Sequence, residues 1–130
     1  MITLPRTVRD AILEQAQAAL PYECVGLVVG KSWETARTLA IRNVAEQPET
    51  AYLAEPLLLL NALKALDAND ELLLAIYHSH PQGPATPSTS DLREARYAVP
   101  QLIAVPGTGA VRAFRLTIDC FEELTVAVVP

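Results

Sequence analysis

The two histidines of the chain lie two residues apart, at the end of its most apolar segment. His78 and His80 follow directly on the apolar run 72–77. If this run is a strand, both imidazoles can reach one point, because side chains at i and i+2 point to the same face. Imidazole nitrogen is a common zinc ligand, and a catalytic zinc usually takes three protein ligands and one water molecule. The spacing therefore predicts two ligands of a zinc site.

Asp91 is the candidate for the third ligand. It follows the histidines after a loop rich in glycine and proline, 82–87, which is long enough to fold back. A structural interpretation competes, because Ser88 and Asp91 have the spacing of a capping box at the start of a helix. Helix capping, however, does not require the two histidines, and a protein core does not favour them. The joint occurrence of these residues favours a metal site.

The elements that must position these residues alternate between helix and strand. Apolar spacing and turn residues predict helices at 7–20, 55–67 and 89–97, and strands at 24–30, 35–44, 72–77, 102–105, 111–118 and 124–129. Thr3 or Thr7 is the expected cap of the first helix, and Pro56 is acceptable in the first turn of the second. The run 72–77 is continuously apolar, which predicts a central strand buried on both faces. The pattern indicates one mixed α/β domain spanning 1–130, with helices packed on one mainly antiparallel sheet.

Composition narrows the class of protein. The chain has 130 residues, of which 51% are hydrophobic, so one domain can build a core without disulfides or metals. Its formal net charge of −5 disfavours nucleic acid as a partner. A disulfide between Cys24 and Cys120 is open, although a reduced cytosolic chain is the simpler interpretation. No basic-then-apolar leader opens the sequence and no apolar run approaches ~18 residues, so we expect a soluble, cytoplasmic protein without membrane contact.

With these residues in place, the sequence resembles the JAMM (MPN+) metalloproteases of the compact prokaryotic type. Their motif H-[ST]-H-P-x6-S-x2-D is matched in full by the stretch from His78 to Asp91. The motif of this family also includes an upstream glutamate, often within P-x-E-C-x-G-L, and the segment 21–27 matches that setting with Glu23. The residues alone would not distinguish Glu23 from the other nine glutamates. The resemblance covers essentially the whole chain.

The resemblance implies a cytidine-deaminase-like α/β/α fold and a hydrolytic zinc centre. One Zn²⁺ would be held by His78, His80 and Asp91, with Glu23 as general base and then acid. Ser88 would donate a hydrogen bond to the tetrahedral oxyanion. The expected substrate is a ubiquitin-like or sulfur-carrier protein, cleaved after its C-terminal Gly-Gly, with the loops 47–54 and 82–87 as candidate walls of the site.

Two neighbouring residues receive structural interpretations. Strand alternation places Ser79 on the face opposite to the histidines, and the adjacency of Cys24 to a buried strand favours an inert core thiol over a metal ligand.

Two other functions remain open. A zinc-dependent amidase acting on a small molecule would use the same ligands, whereas a nucleobase deaminase would require H-x-E and P-C-x-x-C, and neither motif occurs in this chain. A non-catalytic MPN scaffold is the second alternative, since many MPN domains lack the metal ligands. The presence of every ligand, the base and the serine argues against a scaffold.

Overall fold

The computed structural model describes residues 1–93 and 96–130 and contains eight strands and three α-helices within them. The strands are β1 (Ile2–Pro5), β2 (Val25–Gly30), β3 (Arg37–Ile41), β4 (Leu72–Ser79), β5 (Gln101–Val105), β6 (Ala110–Leu116), β7 (Phe121–Leu124) and β8 (Val126–Val129). The helices are α1 (Arg6–Ala19), α2 (Pro56–Ala68) and α3 (Thr89–Arg93), and a 3-10 turn spans Trp33–Thr35.

Six of the strands form one sheet in the order β3-β2-β4-β5-β6-β7. Only β4 and β5 are parallel, and the other neighbours are antiparallel. The predicted mixed α/β domain with a mainly antiparallel sheet is therefore confirmed. The strand that ends in the histidines lies between β2 and β5, so that its backbone is hydrogen-bonded on both sides.

The sheet is covered on both faces, because alternate residues of its central strands point to different helices. On one face Val8, Ile12 and Ala16 of α1 pack in a cluster that includes Ala75 and Tyr77 of β4. On the other face Leu66 of α2 packs in a second cluster. The strand residues of that cluster are Val25, Leu27, Val29, Ile41 and Ile76. The result is the expected α/β/α arrangement, and His78 and His80 share the α2 face with Ile76.

A proline restricts the backbone at the start of both long helices, since Pro5 precedes α1 and Pro56 is the first residue of α2. The predicted capping of α1 by Thr3 or Thr7 is wrong, because Thr3 lies in β1 and the N-cap is Pro5, which makes no side-chain cap. The chain enters α1 straight from a strand, so no loop residue is left to act as a cap. For α2, Pro56 occupies the first turn as expected, and the Glu55 carboxylate accepts a hydrogen bond from the Leu58 N–H at 2.6 Å.

Two short strands were not predicted from the sequence. β1 pairs in parallel with β8, from Ile2 with Val126 to Pro5 with Val129, and this pair forms a second, two-stranded sheet. β7 pairs with β6 at the edge of the main sheet, so that the predicted strand 124–129 is divided at Thr125. The expectation that all strands join one sheet is therefore wrong for the two ends of the chain.

Other boundaries also differ from the expectations. The predicted strand 35–44 is shortened by the 3-10 turn before it. The predicted helix 89–97 is described as α3 up to Arg93; residues 94 and 95 lie outside the described residues, and 96–99 are not helical. β4 is not buried along its whole length, because Leu72 at its exposed start has 57% of its surface accessible and burial begins at Ala75.

No helix in the described ranges 1–93 and 96–130 is long and apolar enough to span a membrane. The cysteines are not joined in a disulfide, since Cys24 is buried and Cys120 is exposed, each with a free thiol.

Candidate metal centre

The end of β4 brings the two imidazoles together. His78 and His80 are both buried, and their Nε2 atoms lie 3.2 Å apart. The strand holds them there through its neighbours: Val25 of β2 is the register partner of His78, and the His80 N–H donates to the Ala104 carbonyl of β5 at 2.9 Å. Strand alternation therefore produces the expected convergence.

The Asp91 carboxylate completes this group from the start of α3. Its Oδ2 atom lies 3.1 Å from Nε2 of His78 and 3.1 Å from Nε2 of His80. The same oxygen accepts the Ser88 N–H at 2.8 Å, while the Asp91 N–H donates to Ser88 Oγ at 3.1 Å. The capping box and the contact with the histidines are thus made by one carboxylate, and the two interpretations of Asp91 are compatible. Burial raises the pKa of Asp91, but the hydrogen bonds with both imidazoles outweigh it and hold the pKa well below its usual range.

The hydrogen bond of His80 constrains the charge state of the group. Its Nδ1 atom lies 2.7 Å from the Pro84 carbonyl, which can only accept, so Nδ1 carries a proton. In a neutral ring, Nε2 then presents a lone pair towards Asp91 Oδ2, and two acceptors face each other at 3.1 Å. Such an arrangement is favourable only with a cation between them. In the metal-free protein, a proton on His80 Nε2 can take the place of this cation. Burial lowers the pKa of His80, but the hydrogen bonds to Asp91 and Pro84 outweigh this effect and raise the pKa.

The donor set also fits a divalent metal. Imidazole nitrogens and carboxylate oxygens at about 2.0–2.1 Å from a tetrahedral zinc are about 3.3–3.4 Å from one another. The three contacts among His78, His80 and Asp91 are 3.1, 3.1 and 3.2 Å, close to that spacing. Burial lowers the pKa of His78, which keeps this ring neutral and able to bind a metal. The residues present therefore suit Zn²⁺.

Glu23 lies beside this group, in the segment between α1 and β2. It is buried with 5% of its surface accessible, and one carboxylate oxygen lies within 4.8 Å of a ring nitrogen of both histidines. Its Oε1 atom has no hydrogen-bond partner among the residues that the structure describes. Burial raises the pKa of Glu23 to about 7; the charge of His80 lowers it and that of Asp91 raises it. Such a carboxyl can exchange a proton near neutral pH.

The group opens into a cavity of about 290 Å³. Glu23, His80 and Ser88 contribute to its wall. The rest of the lining comes from two loops, with Glu49 and Thr50 in one and Pro81, Gln82, Gly83, Pro84, Thr86 and Pro87 in the other. Both loops that were expected to border the site do so.

The opposite face of β4 holds the two residues that were assigned structural roles. Ser79 is fully buried, and its Oγ accepts the Cys24 N–H at 2.8 Å. The Cys24 thiol is buried, which raises its pKa and keeps it protonated. Both interpretations agree with the structure.

Two residues near the histidines were not identified from the sequence. The Tyr52 ring stacks on the His78 ring, with centroids 4.4 Å apart and planes at 24°. The Asn43 side chain bonds both to the Glu23 carbonyl and to the loop that carries Tyr52. An aromatic residue inside the polar loop 45–54 was the available signal for Tyr52; no signal in the sequence distinguishes Asn43.

Comparison with known proteins identifies a matching family and two similar proteins. The family described as prokaryotic homologs of the JAB domain matches residues 5–117. A Thermus thermophilus protein named a probable TtuB-protein conjugate cleaving protease is 52% identical over 109 residues, which cover 81% of this chain and 72% of that protein. A Haloferax volcanii protein named desampylase is 31% identical over 133 residues, covering 98% of this chain and 96% of that protein.

Solved structures agree on the fold. A protein from Desulfitobacterium hafniense is similar with a TM-score of 0.85 and 27% identity, over 99% of this chain and 93% of its own. A JAB1/MPN domain protein from Archaeoglobus fulgidus is similar with a TM-score of 0.67 and 20% identity, over 99% of this chain and 100% of its own. At 20% identity, the similarity to the second structure supports only a shared fold.

Proposed function

Because the chain belongs to the prokaryotic JAB-domain family, we propose that it is a zinc-dependent protease or isopeptidase. Its substrate is a ubiquitin-like or sulfur-carrier protein, cleaved after the C-terminal Gly-Gly. The observation that carries the proposal is the convergence of two imidazole nitrogens and one carboxylate oxygen within 3.2 Å, beside a buried glutamate whose Oε1 atom has no hydrogen-bond partner in the described part of the chain.

His78, His80 and Asp91 would hold the metal. When bound, Zn²⁺ acts as a Lewis acid that polarises the substrate carbonyl and lowers the pKa of water towards ~7. The backbone hydrogen bond of His80 to Ala104 and the capping bonds of Asp91 hold two of the three donor groups in place without the metal. A site assembled in advance loses little conformational entropy when the cation binds.

Glu23 is the proposed general base and acid. With a pKa raised to about 7, it can accept a proton from water and then return it to the leaving amine. Its backbone is held at both ends, since its N–H donates to the Pro48 carbonyl at 2.7 Å and its carbonyl accepts from Asn43 Nδ2 at 2.9 Å. The carboxylate is therefore presented to the cavity from a fixed point.

Ser88 is the proposed donor to the oxyanion. Its Oγ already accepts the Asp91 N–H, and this bond uses a lone pair and not the hydroxyl proton. The hydroxyl proton can then be donated into the cavity that Ser88 lines. Loss of one such donor typically costs ~10²–10³ in rate.

The two loops around the cavity support a protein tail as substrate. Glu49 and Thr50 of one loop and the Pro- and Gly-rich segment 81–87 both line this cavity. Glycine residues next to the cleaved bond would enter such a cavity most easily, because they carry no side chain. The names of the two relatives, a probable TtuB-protein conjugate cleaving protease and a desampylase, support the same class of substrate.

A cleavage assay with mass spectrometry tests the proposal. The zinc-loaded protein is incubated with a ubiquitin-like protein that is joined through its C-terminal Gly-Gly to a lysine side chain or to a short peptide, and in parallel with small amides. We expect release after Gly-Gly, its loss on chelation, and its recovery with zinc. Hydrolysis of the small amides alone would favour an amidase, and a purified protein unable to bind zinc would favour a scaffold.

A Glu23→Gln variant tests whether Glu23 is the general base and not a metal ligand like Asp91. We expect it to keep one zinc per chain, measured by elemental analysis, while hydrolysis falls to background. Loss of zinc from this variant would make Glu23 a ligand, and the assignment of the general base to Glu23 would then be wrong.

A further inference from the structure

The two histidines are supported in different ways. A metal-binding histidine almost always donates its second N–H to an oxygen, which sets the orientation and the tautomer of the ring. His80 has such a bond, from Nδ1 to the Pro84 carbonyl at 2.7 Å. Nδ1 of His78 is buried without a hydrogen-bond partner in the ranges that the structure describes. The orientation of the His78 ring therefore depends on its contacts at Nε2 with Asp91 and His80 and on the packing of the ring itself.

An aromatic ring lies where it can supply that packing. Tyr52 covers one face of the His78 ring, with centroids 4.4 Å apart and an angle of 24° between the planes. The ring of His80 meets His78 edge to face, with centroids 4.9 Å apart and planes at 60°. Rotation of the His78 ring about its Cβ–Cγ bond would drive it into these neighbours. Stacked aromatic pairs at such distances are favourable beyond the area they bury.

We propose that Tyr52 is a positioning residue of the metal centre. Its ring fixes the orientation of the His78 imidazole, as the hydrogen bond to the Pro84 carbonyl fixes the orientation of the His80 imidazole. The inference rests on the proposed zinc site, since the orientation matters only if Nε2 of His78 is a ligand. Tyr52 need not touch the metal or the substrate for this role.

The position of Tyr52 depends on Asn43. The amide of Asn43 donates to the Ala51 carbonyl at 3.1 Å and its Oδ1 accepts the Leu53 N–H at 3.0 Å, so it holds the residues on both sides of Tyr52. The same amide donates to the Glu23 carbonyl at 2.9 Å. One side chain thereby sets the loop that supports His78 and the backbone of the proposed general base.

Four variants separate the effect of the Tyr52 ring from other causes. Tyr52→Leu keeps an apolar side chain but removes the ring face, and Tyr52→Phe keeps the ring but removes the hydroxyl. Leu53→Ala is the matched control, since Leu53 is its neighbour in the same loop and is exposed. Tyr52→Met serves as a second ring-less variant, and urea unfolding checks that each protein folds.

The first measurement is the zinc dissociation constant by competition with a chromophoric chelator. We expect Tyr52→Leu and Tyr52→Met to bind zinc about two- to tenfold more weakly, which corresponds to the usual contribution of an aromatic pair. Tyr52→Phe and Leu53→Ala should bind zinc as the wild type does. Equal affinity in all variants would overturn the proposal, and so would a loss in Tyr52→Phe as large as in Tyr52→Leu.

The second measurement needs neither zinc nor substrate. Imidazole resonances of the metal-free protein should show one ordered His78 ring in the wild type and in Tyr52→Phe, and conformational averaging in the two ring-less variants. An ordered His78 ring without the aromatic side chain would contradict the proposal. A wild type that does not bind zinc would overturn the proposed function, whereas this comparison would still decide whether Tyr52 orients the ring.

Discussion

The buried polar groups on the two faces of β4 differ in whether they are hydrogen-bonded. On the α1 face, the Tyr77 hydroxyl donates to Gln15 Oε1 and Ser79 Oγ accepts the Cys24 N–H. On the α2 face, Nδ1 of His78 and Oε1 of Glu23 have no partner in the described part of the protein. Tyr77, His78 and Ser79 are consecutive residues of β4 and all three are fully buried, so the difference does not come from the strand itself.

The comparison separates buried polar groups that stabilise the core from buried polar groups that are available for binding. Burying a polar group without a partner costs free energy, and most buried groups in proteins are therefore paired. The α1 face follows that rule, which makes its polar residues part of the core. The α2 face departs from it at Nδ1 of His78 and at Oε1 of Glu23, a residue that lines the cavity. The unpaired groups lie where a cation and a substrate would compensate them.

The largest expected effect is on the α2 face. Asp91→Ala should lose or greatly weaken zinc binding and reduce hydrolysis by ~10³-fold or more, since a bound metal contributes several kcal/mol to transition-state stabilisation. Zinc content and cleavage rate are the measurements, with Ser79→Ala from the opposite face as the control that keeps both. Full zinc and activity in Asp91→Ala would leave helix capping as the only role of Asp91.

The next effect is on the α1 face and concerns packing. Gly26 lies opposite Tyr77 in the sheet, and a Cβ there would overlap the Tyr77 hydroxyl and lie 2.6 Å from the Leu39 carbonyl oxygen. Gly26→Ala should therefore destabilise the fold by about 3 kcal/mol, measured by urea unfolding. Gly107→Ala is the control, because no atom of the described structure lies within 4 Å of its Cβ position. Equal stability of the two variants would show that the α1 face can repack.

A smaller loss is expected from removing one paired group of the α1 face. Ser79→Ala would leave the Cys24 N–H without the bond it now makes at 2.8 Å, at a cost of about 1–2 kcal/mol in the free energy of unfolding. Zinc affinity should not change. A drop in zinc affinity in this variant would mean that the two faces of β4 are coupled and not independent.

The last effect is a gain in stability, and it depends on pH. Burial raises the pKa of Glu23 from 4.5 to about 7, so between these values the folded protein binds more protons than the unfolded one. The contribution of Glu23 to stability therefore falls as pH rises through this window. In the metal-free protein, Glu23→Gln should be more stable than the wild type by about 3 kcal/mol at pH 8, and close to equal near pH 4.5. Urea unfolding with a chelator present at both pH values measures this, and a difference independent of pH would contradict it.

Much of the centre could be predicted because its signals are local. Alternation along one strand places His78 and His80 on one face, and the short interval to Asp91 limits where that carboxylate can lie. Glu23 has no local signal and was identified only through the resemblance to a family. Tyr52 and Asn43 were missed because each contacts a residue that is distant in the chain. Asn43 bonds to Glu23, and Tyr52 stacks on His78.

The same distinction applies to the fold. Apolar periodicity predicted α1, α2 and the central strands, since each buries a continuous face. The pairing of β1 with β8 joins the two ends of the chain, and neither segment has a periodicity that reveals its partner. The loss of the predicted cap at Thr3 or Thr7 follows from that pairing, because β1 occupies the residues before α1.

The sequence by itself determined that the two histidines lie on one face at the end of β4 and that the chain is a mixed α/β domain, and it predicted Asp91 as the third ligand. These properties follow from residue type and from short-range geometry. Only the tertiary structure decided that Asp91 caps a helix and meets both imidazoles with the same oxygen, that Tyr52 stacks on His78, and that Asn43 joins the loop to Glu23. Such contacts depend on where the packing of the sheet and helices places remote loops, which no local pattern specifies.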